Sequence, residues 1–272
     1  MNRDTHSPKR FLIAALALFL AAGVFAAPPA SGSGAGPGQA GIFDFSLRVF
    51  GPSSPAAFSA SAANPADTPS VFSADKGKLR ITINGQAVGS EDFEISPAGD
   101  AWIERSSMSA HVPGGGEIKA AGQLKLSADG SPIRYDWTAE AQKKATGYVD
   151  FASGTAKCSA DLGAALPLRK DFVFPSPRIA VLDNNLYYHF GLLARLYDWK
   201  AGGKQTFPVV IPQDMVPGTI AVESLGPQQA GNGKYEALRV SSPDLEIMVY
   251  VDASRHMVRL EVPSSNVTIE RE

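Results

Sequence analysis

Histidines, one cysteine and a few clustered carboxylates are the groups in this chain suited to chemistry. His111, His189 and His256 lie far apart, and Cys158 has no cysteine or histidine near it. Neither a zinc site nor a disulfide framework is expected from that spacing. Glu91, Asp92 and Glu94 form the densest acidic group. On a strand, Asp92 and Glu94 share one face while Glu91 sits opposite with Phe93. Two carboxylates on one face suit acid–base hydrolysis of a glycosidic bond, but a solvated strand face is the commoner meaning of the pattern. Serines are numerous, yet none after the glycine-rich start sits in a Gly-x-Ser-x-Gly elbow, and Ser33 lies in low-complexity sequence. The stretch Ala201-Gly202-Gly203-Lys204-Gln205-Thr206 lacks the glycine–lysine spacing of a phosphate loop. No catalytic residue, metal ligand or cofactor is therefore assigned. What remains is a set of aromatic and imidazole side chains, Tyr135, Trp137, Tyr187, Tyr188, His189 and Trp199. Their apolar bodies and polar tips make them candidate walls of a ligand site.

Four of those six fall in one stretch, Leu182 to Trp199, which reads as the one convincing helix of the chain, over about 183–199. Asp183 is placed to cap it, and Gly202-Gly203 is placed to end it. Leu186, Phe190, Leu193 and Tyr197 line one face, and Tyr187, Leu192, Ala194 and Leu196 widen it. Only Tyr188, Gly191, Arg195 and Asp198 mark a polar strip, with Arg195 and Asp198 spaced for a local ion pair. A helix so widely apolar needs enclosure. His189, beside Leu192, Leu193 and Leu196, is expected as a buried neutral imidazole with one partner, a functional role being the alternative.

Strands supply the enclosure. Lys78 to Ile83 alternates, Asn84-Gly85 makes a hairpin turn, and Val88 to Ile95 returns. Further strands are expected over 102–110, 117–126, 133–138, 148–157 and 166–173. After the helix they resume over 206–211, 219–224, 235–240, 245–251, 257–262 and 267–269. The expected fold is mainly β: an antiparallel meander, either a strongly curved sheet or half-barrel enclosing one α-helix, or a closed barrel with the helix as plug. His111 then belongs to a hairpin and His256 to a turn.

Arg3, Lys9 and Arg10 precede the apolar run Phe11 to Ala26, whose small final residues mark a secretory signal peptide over 1–26. The run is shorter than the roughly 20 residues of a spanning helix, so cleavage after Ala26 and no stable membrane insertion are expected. Its loss takes away three basic residues and one acidic residue, moving the formal charge from −2 to −4. An acidic chain without a basic cluster does not suit nucleic acid. Residues 27–70 are rich in Ala, Pro, Gly and Ser and read as a flexible segment with one possible strand at 42–50. Residues 71–272 read as a single β-rich domain.

The hairpin Ile83 to Ile95, and the ending with Val251-Asp252 and Arg259 to Pro263, resemble uncharacterised secreted bacterial β-proteins. Those are similar in layout to lipoprotein-carrier (LolA-like) half-barrels. The resemblance implies an apolar concave side and lipid-like ligands. Together these readings give an exported protein, periplasmic or extracellular, that binds an apolar or amphiphilic ligand or an envelope partner without catalysis. The alternatives are an interaction module with a fully packed core and, last, a metal-independent hydrolase using Asp92 and Glu94.

Overall fold

Alternation of inward apolar and outward polar side chains builds nearly every strand of this protein, as the computed structural model shows for residues 70–112, 116–243 and 245–272. The expected signal peptide and the segment ending at residue 70, with its possible strand at 42–50, lie outside the described residues apart from Ser70. The strands are β1 (Asp75–Ile83), β2 (Gln86–Ala98), β3 (Ala101–Val112), β4 (Gly116–Ser127) and β5 (Pro132–Glu140). β6 (Lys144–Ala152), β7 (Thr155–Asp161), β8 (Leu168–Val173) and the two-residue β9 (Ala180–Val181) follow. After the helix α1 (Tyr188–Leu196) come β10 (Lys204–Ile211), β11 (Val216–Ala230), β12 (Gly233–Ser242), β13 (Leu245–Val251), β14 (Met257–Val262) and β15 (Val267–Arg271). In β2, for example, Glu91, Phe93 and Ile95 are buried while Asp92 is exposed, the period-two pattern of a sheet with one covered face.

All fifteen strands form one sheet, in the order β8-β7-β6-β5-β4-β3-β2-β1-β15-β14-β13-β12-β11-β10-β9. Neighbours pair antiparallel except β9 and β10. The first and last strands meet in the middle, Leu79 opposite Arg271 through Ile83 opposite Val267. The two edges, β8 and β9, follow one another in sequence, and β9 contacts β5, so the sheet curls back on itself. Because β8 and β9 are not paired, it stays an open, curved meander instead of a closed barrel.

Two stretches differ from the sequence reading. Residues 148–157 are two strands, because Ser153 (φ 48°) and Gly154 (φ 79°) make a tight turn of the two-residue hairpin kind. The helix is shorter than 183–199. Its N-cap is Tyr187, with no side-chain cap, and Tyr197 is already extended (φ −65°, ψ 128°). Asp183 does not cap it, because its carboxylate is taken by partners from other elements. Gly202 and Gly203 shape the following turn. Every residue of α1 is buried, including Tyr188, Gly191 and Arg195 of the expected polar strip, while Asp198, beyond the helix, is exposed. At Gly191 an added Cβ would lie 3.2 Å from Met257 Cβ, so this glycine lets β14 approach closely. Arg195 does not pair with Asp198; it reaches a buried carboxylate on β1. Cys158 is buried and free, and burial, with Asp171 nearby, pushes its thiol up to about 11.

Candidate functional site: two buried polar clusters and a rim cleft

Strand parity places carboxylates under the helix. Glu91 on β2 and Glu104 on β3 hold inward positions, in line with Phe93 and Ile95 and with Ser106, Met108 and Ala110, and both are 0 % exposed. Glu91 supplies the cap that α1 lacks locally. It accepts from the backbone N–H of Tyr187 at 2.7 Å and of Tyr188 at 3.2 Å, where a helix start favours negative charge. Burial, which outweighs those two bonds, pushes its carboxyl up to about 8, and Glu104 adds to the rise. Glu104 accepts from the Ser106 hydroxyl, and its Oε2 faces His189 Nε2 at 3.4 Å.

His189 Nδ1 accepts from the backbone N–H of Asp183 at 3.2 Å. A donor aimed at Nδ1 selects the tautomer with its proton on Nε2, pointing at Glu104. Burial opposes a charged ring, while Glu104, Asp183 and Glu91 together favour it more and raise the imidazole above its ordinary value. Tyr135 on β5 donates to Asp183, which also accepts from Gln213 and from the backbone N–H of Asn185 at 2.7 Å. Burial first, and then Asp183, raise the Tyr135 phenol well above its usual range, so it stays a donor. Gly122 makes the crossing possible: a Cβ there would come 2.6 Å from the Tyr135 hydroxyl and 2.7 Å from Leu186.

A second cluster lies on the other side of the helix. Asp75 on β1 accepts from Arg195 at 3.1 Å, from Arg271 at 2.6 and 3.1 Å, and from the Tyr188 hydroxyl at 3.0 Å. Burial works against its charge, but Arg271 and Tyr188 hold it below the usual carboxylate range. The Tyr188 ring stacks on Phe93 with centroids 3.8 Å apart, and Arg271 lies over the other ring at 5.1 Å. Arg195 also donates to Ser73. Both clusters fasten the helix to the sheet. Glu91, Glu104, Tyr135 and Tyr188 are 0 % exposed and His189 1 %, so none of these five presents a group to a substrate, while Asp183 reaches the border of a cleft and Arg271 is half-buried.

Of the six candidate ligand residues, the structure brings Tyr135 and His189 together, edge to face at 5.3 Å. Tyr187 and Tyr188 sit at the helix start on Glu91. Trp137 is buried in β5 away from them, and its indole N–H has no partner among the described residues. Trp199 donates to the Ala194 carbonyl at 2.9 Å, and Arg255 covers its face at 3.7 Å. His111 is exposed, and His256 is half-buried beside Asp252. Asp92 is exposed and Glu94 pairs with Lys76 at 3.0 Å on the solvated face.

A cleft of about 50 Å³ opens elsewhere, at the rim, between Leu182 and Phe190 and the strands carrying Val209, Ile220, Val240 and Leu245. Asp183, Asn184 and Ser242 border it, and the Ser242 hydroxyl has no partner among the described residues. Asn184 donates to Asp214 at 3.0 Å. None of the six candidate residues lines this cleft. Among the described residues no His, Cys, Asp and Glu group is arranged to hold a metal ion, and no helix is long and apolar enough to cross a membrane. Sequence reasoning missed Glu91, Glu104, Asp75 and Gln213. Parity was the available signal for the two glutamates, each standing where its strand points only apolar or small residues inward.

Fold and site together define a class: among the described residues a mainly β protein, one fifteen-stranded and mostly antiparallel meander that stays open, pinned to one buried helix by polar clusters. No protein-family model matches the chain, and no curated protein does. Among solved structures it is similar to a β-barrel-like protein of the domain of unknown function DUF1849 from Brucella abortus. The identity is 8 %, covering 73 % of this chain and 94 % of that one, with a TM-score of 0.49. It is also similar to a DUF1089 family protein from Pseudomonas aeruginosa, at 11 % identity over 64 % of this chain and 90 % of that one, with a TM-score of 0.38. Both carry only a domain-of-unknown-function designation.

Proposed function

We propose that this is an exported, non-enzymatic binding protein whose rim cleft takes the apolar end of an amphiphile. The observation that carries the reading is the cleft itself, walled by Leu182, Phe190, Val209 and Ile220 and edged by Asn184 and Ser242. An apolar hollow with a few polar groups at its margin suits a ligand with an alkyl tip and a polar head. About 50 Å³ admits a chain end and no whole acyl chain, so the head and most of the chain stay outside. The likeness of the hairpin Ile83 to Ile95 to secreted β-proteins of lipoprotein-carrier layout, read from the sequence, supports the same ligand class. Export to the periplasm or exterior rests on Arg3, Lys9, Arg10 and the apolar run that follows.

Decanoate is a suitable probe. It should raise the melting temperature with concentration, as a ligand of the folded state must, and Val209→Trp, which fills the cleft, should abolish the shift while the protein stays folded. A melt that no decanoate concentration moves would sink the reading. The second reading, an interaction module with a packed core, is favoured by the burial of Tyr135, Trp137, Tyr187 and Tyr188, which fill the concave side themselves.

A further inference from the structure

We propose that β8 pairs antiparallel with β8 of a second copy of this chain, so that two sheets run on as one. Among the described residues β8 ends the sheet and is bonded on one side only, to β7, from Thr155 opposite Val173 to Ala160 opposite Leu168. It is also uncovered: Leu166 is 79 %, Leu168 53 % and Val173 85 % exposed, and Arg169, Lys170 and Asp171 are exposed with them. The other edge differs, since β9 is two residues long and buried. An uncovered end strand offers a row of free N–H and C=O groups to another strand, and here its own sequence supplies the complement.

A two-fold axis beside Lys170 sets Arg169 against Asp171 of the second copy and Leu168 against its Phe172, each contact occurring twice. Both charges are free for this, because neither Arg169 nor Asp171 makes an ion pair among the described residues. Leu168 and Phe172 stand on the face of Ala160 and Ala156, their partners on β7 and both buried, so the apolar sides of the two sheets join. Lys170, opposite Cys158 on β7 and so on the face of Leu168 and Phe172, meets its own copy at the axis, a like-charge contact that offsets part of what the two Arg169–Asp171 pairs supply. Moving the axis to Asp171 would set that carboxylate against itself and lose both ion pairs. Charge therefore selects the register.

Sedimentation of the full chain over a concentration series should show a monomer–dimer equilibrium. Arg169→Asp or Asp171→Arg alone sets like charges opposite one another twice and should weaken the dimer roughly tenfold or more. The double exchange Arg169→Asp with Asp171→Arg should restore it, which no other partner surface would require. Lys170→Cys should form a disulfide-linked dimer on mild oxidation, because directly opposed residues in an antiparallel pair lie within bridging distance. A chain that stays monomeric and does not cross-link would overturn the proposal. So would a dimer indifferent to the single exchanges, which would use another surface.

Discussion

The two polar clusters that hold α1 are oppositely charged, and the one around His189 is the more deeply buried. Around Asp75 two guanidiniums answer one carboxylate, whereas around His189 three carboxylates, Glu91, Glu104 and Asp183, share one imidazole. The first cluster behaves as a clamp whose members are held in their charged forms. The second is acidic beyond its compensation, and it remains buried by keeping protons and by drawing on backbone N–H groups at the helix start. Burial alone therefore does not decide what a carboxylate does. The cations and dipoles around it decide.

The difference is open to direct attack, and the clamp should be the more costly side to break. Asp75→Ala leaves Arg195 and Arg271 without their shared partner, and removing one member of a buried pair costs about 3–5 kcal/mol. Arg195→Met should cost less in the same denaturant melts, because Arg271 still holds Asp75. Equal costs would mean that the two guanidiniums do not share the charge. On the acidic side, Tyr135→Phe withdraws the donor that β5 offers to Asp183. The expected loss is about 1–3 kcal/mol for a buried acceptor left short of a bond, with the helix content by circular dichroism unchanged.

Acidity separates the clusters most finely. The Glu91 carboxyl, raised from 4.5 to about 8, binds a proton in the folded chain that the unfolded chain has already released. Its contribution is fully present below pH 4.5 and is lost as pH rises toward 8, with a slope of up to about 1.4 kcal/mol per pH unit. Asp75 has the reverse sign: its lowered pKa gives stability present above the ordinary aspartate value and lost as pH falls through the lowered one. Stability measured by denaturant against pH should fall less steeply between 4.5 and 8 in Glu91→Gln, with the raised His189 imidazole keeping its own share of the fall above the ordinary histidine value, and should keep its acid limb. A wild-type curve that rises across that window would reverse the assignment of the proton.

Much of this architecture was legible locally. The alternation in Lys78 to Ile83, the Asn84-Gly85 turn and the breadth of the apolar face from Leu186 to Tyr197 each follow from neighbours in sequence. What could not be read came from residues far apart in the chain. Asp183 looks like a helix cap until Tyr135 and Gln213 arrive from other elements to take its oxygens. Arg195 looks solvent-facing until β1 brings Asp75 beneath it. The split at Ser153-Gly154 was missed although the inward parity changes there, from Val149 and Phe151 before the turn to Ala156 and Cys158 after it. For the site, the aromatic rings were visible and the carboxylates were not, although parity alone sets Glu91 beside Phe93 on the inward face.

The meeting of β1 and β15 at the centre of the sheet has a consequence for how the chain reaches this fold. Each arm, β1 to β8 and β10 to β15, is a run of neighbouring hairpins and can assemble from nearby contacts. The seam between the arms joins residues such as Leu79 and Arg271, a pairing of very high sequence separation that is slow to form. β15, which follows every other described strand in sequence, is therefore the one that unites the arms. It also positions Arg271 on Asp75, so the clamp on the helix closes with the seam. Until then the chain carries two half-sheets with open inner edges, the kind of species most exposed to wrong pairing. A chain that lacks β15 is held in that state, however well its hairpins have formed.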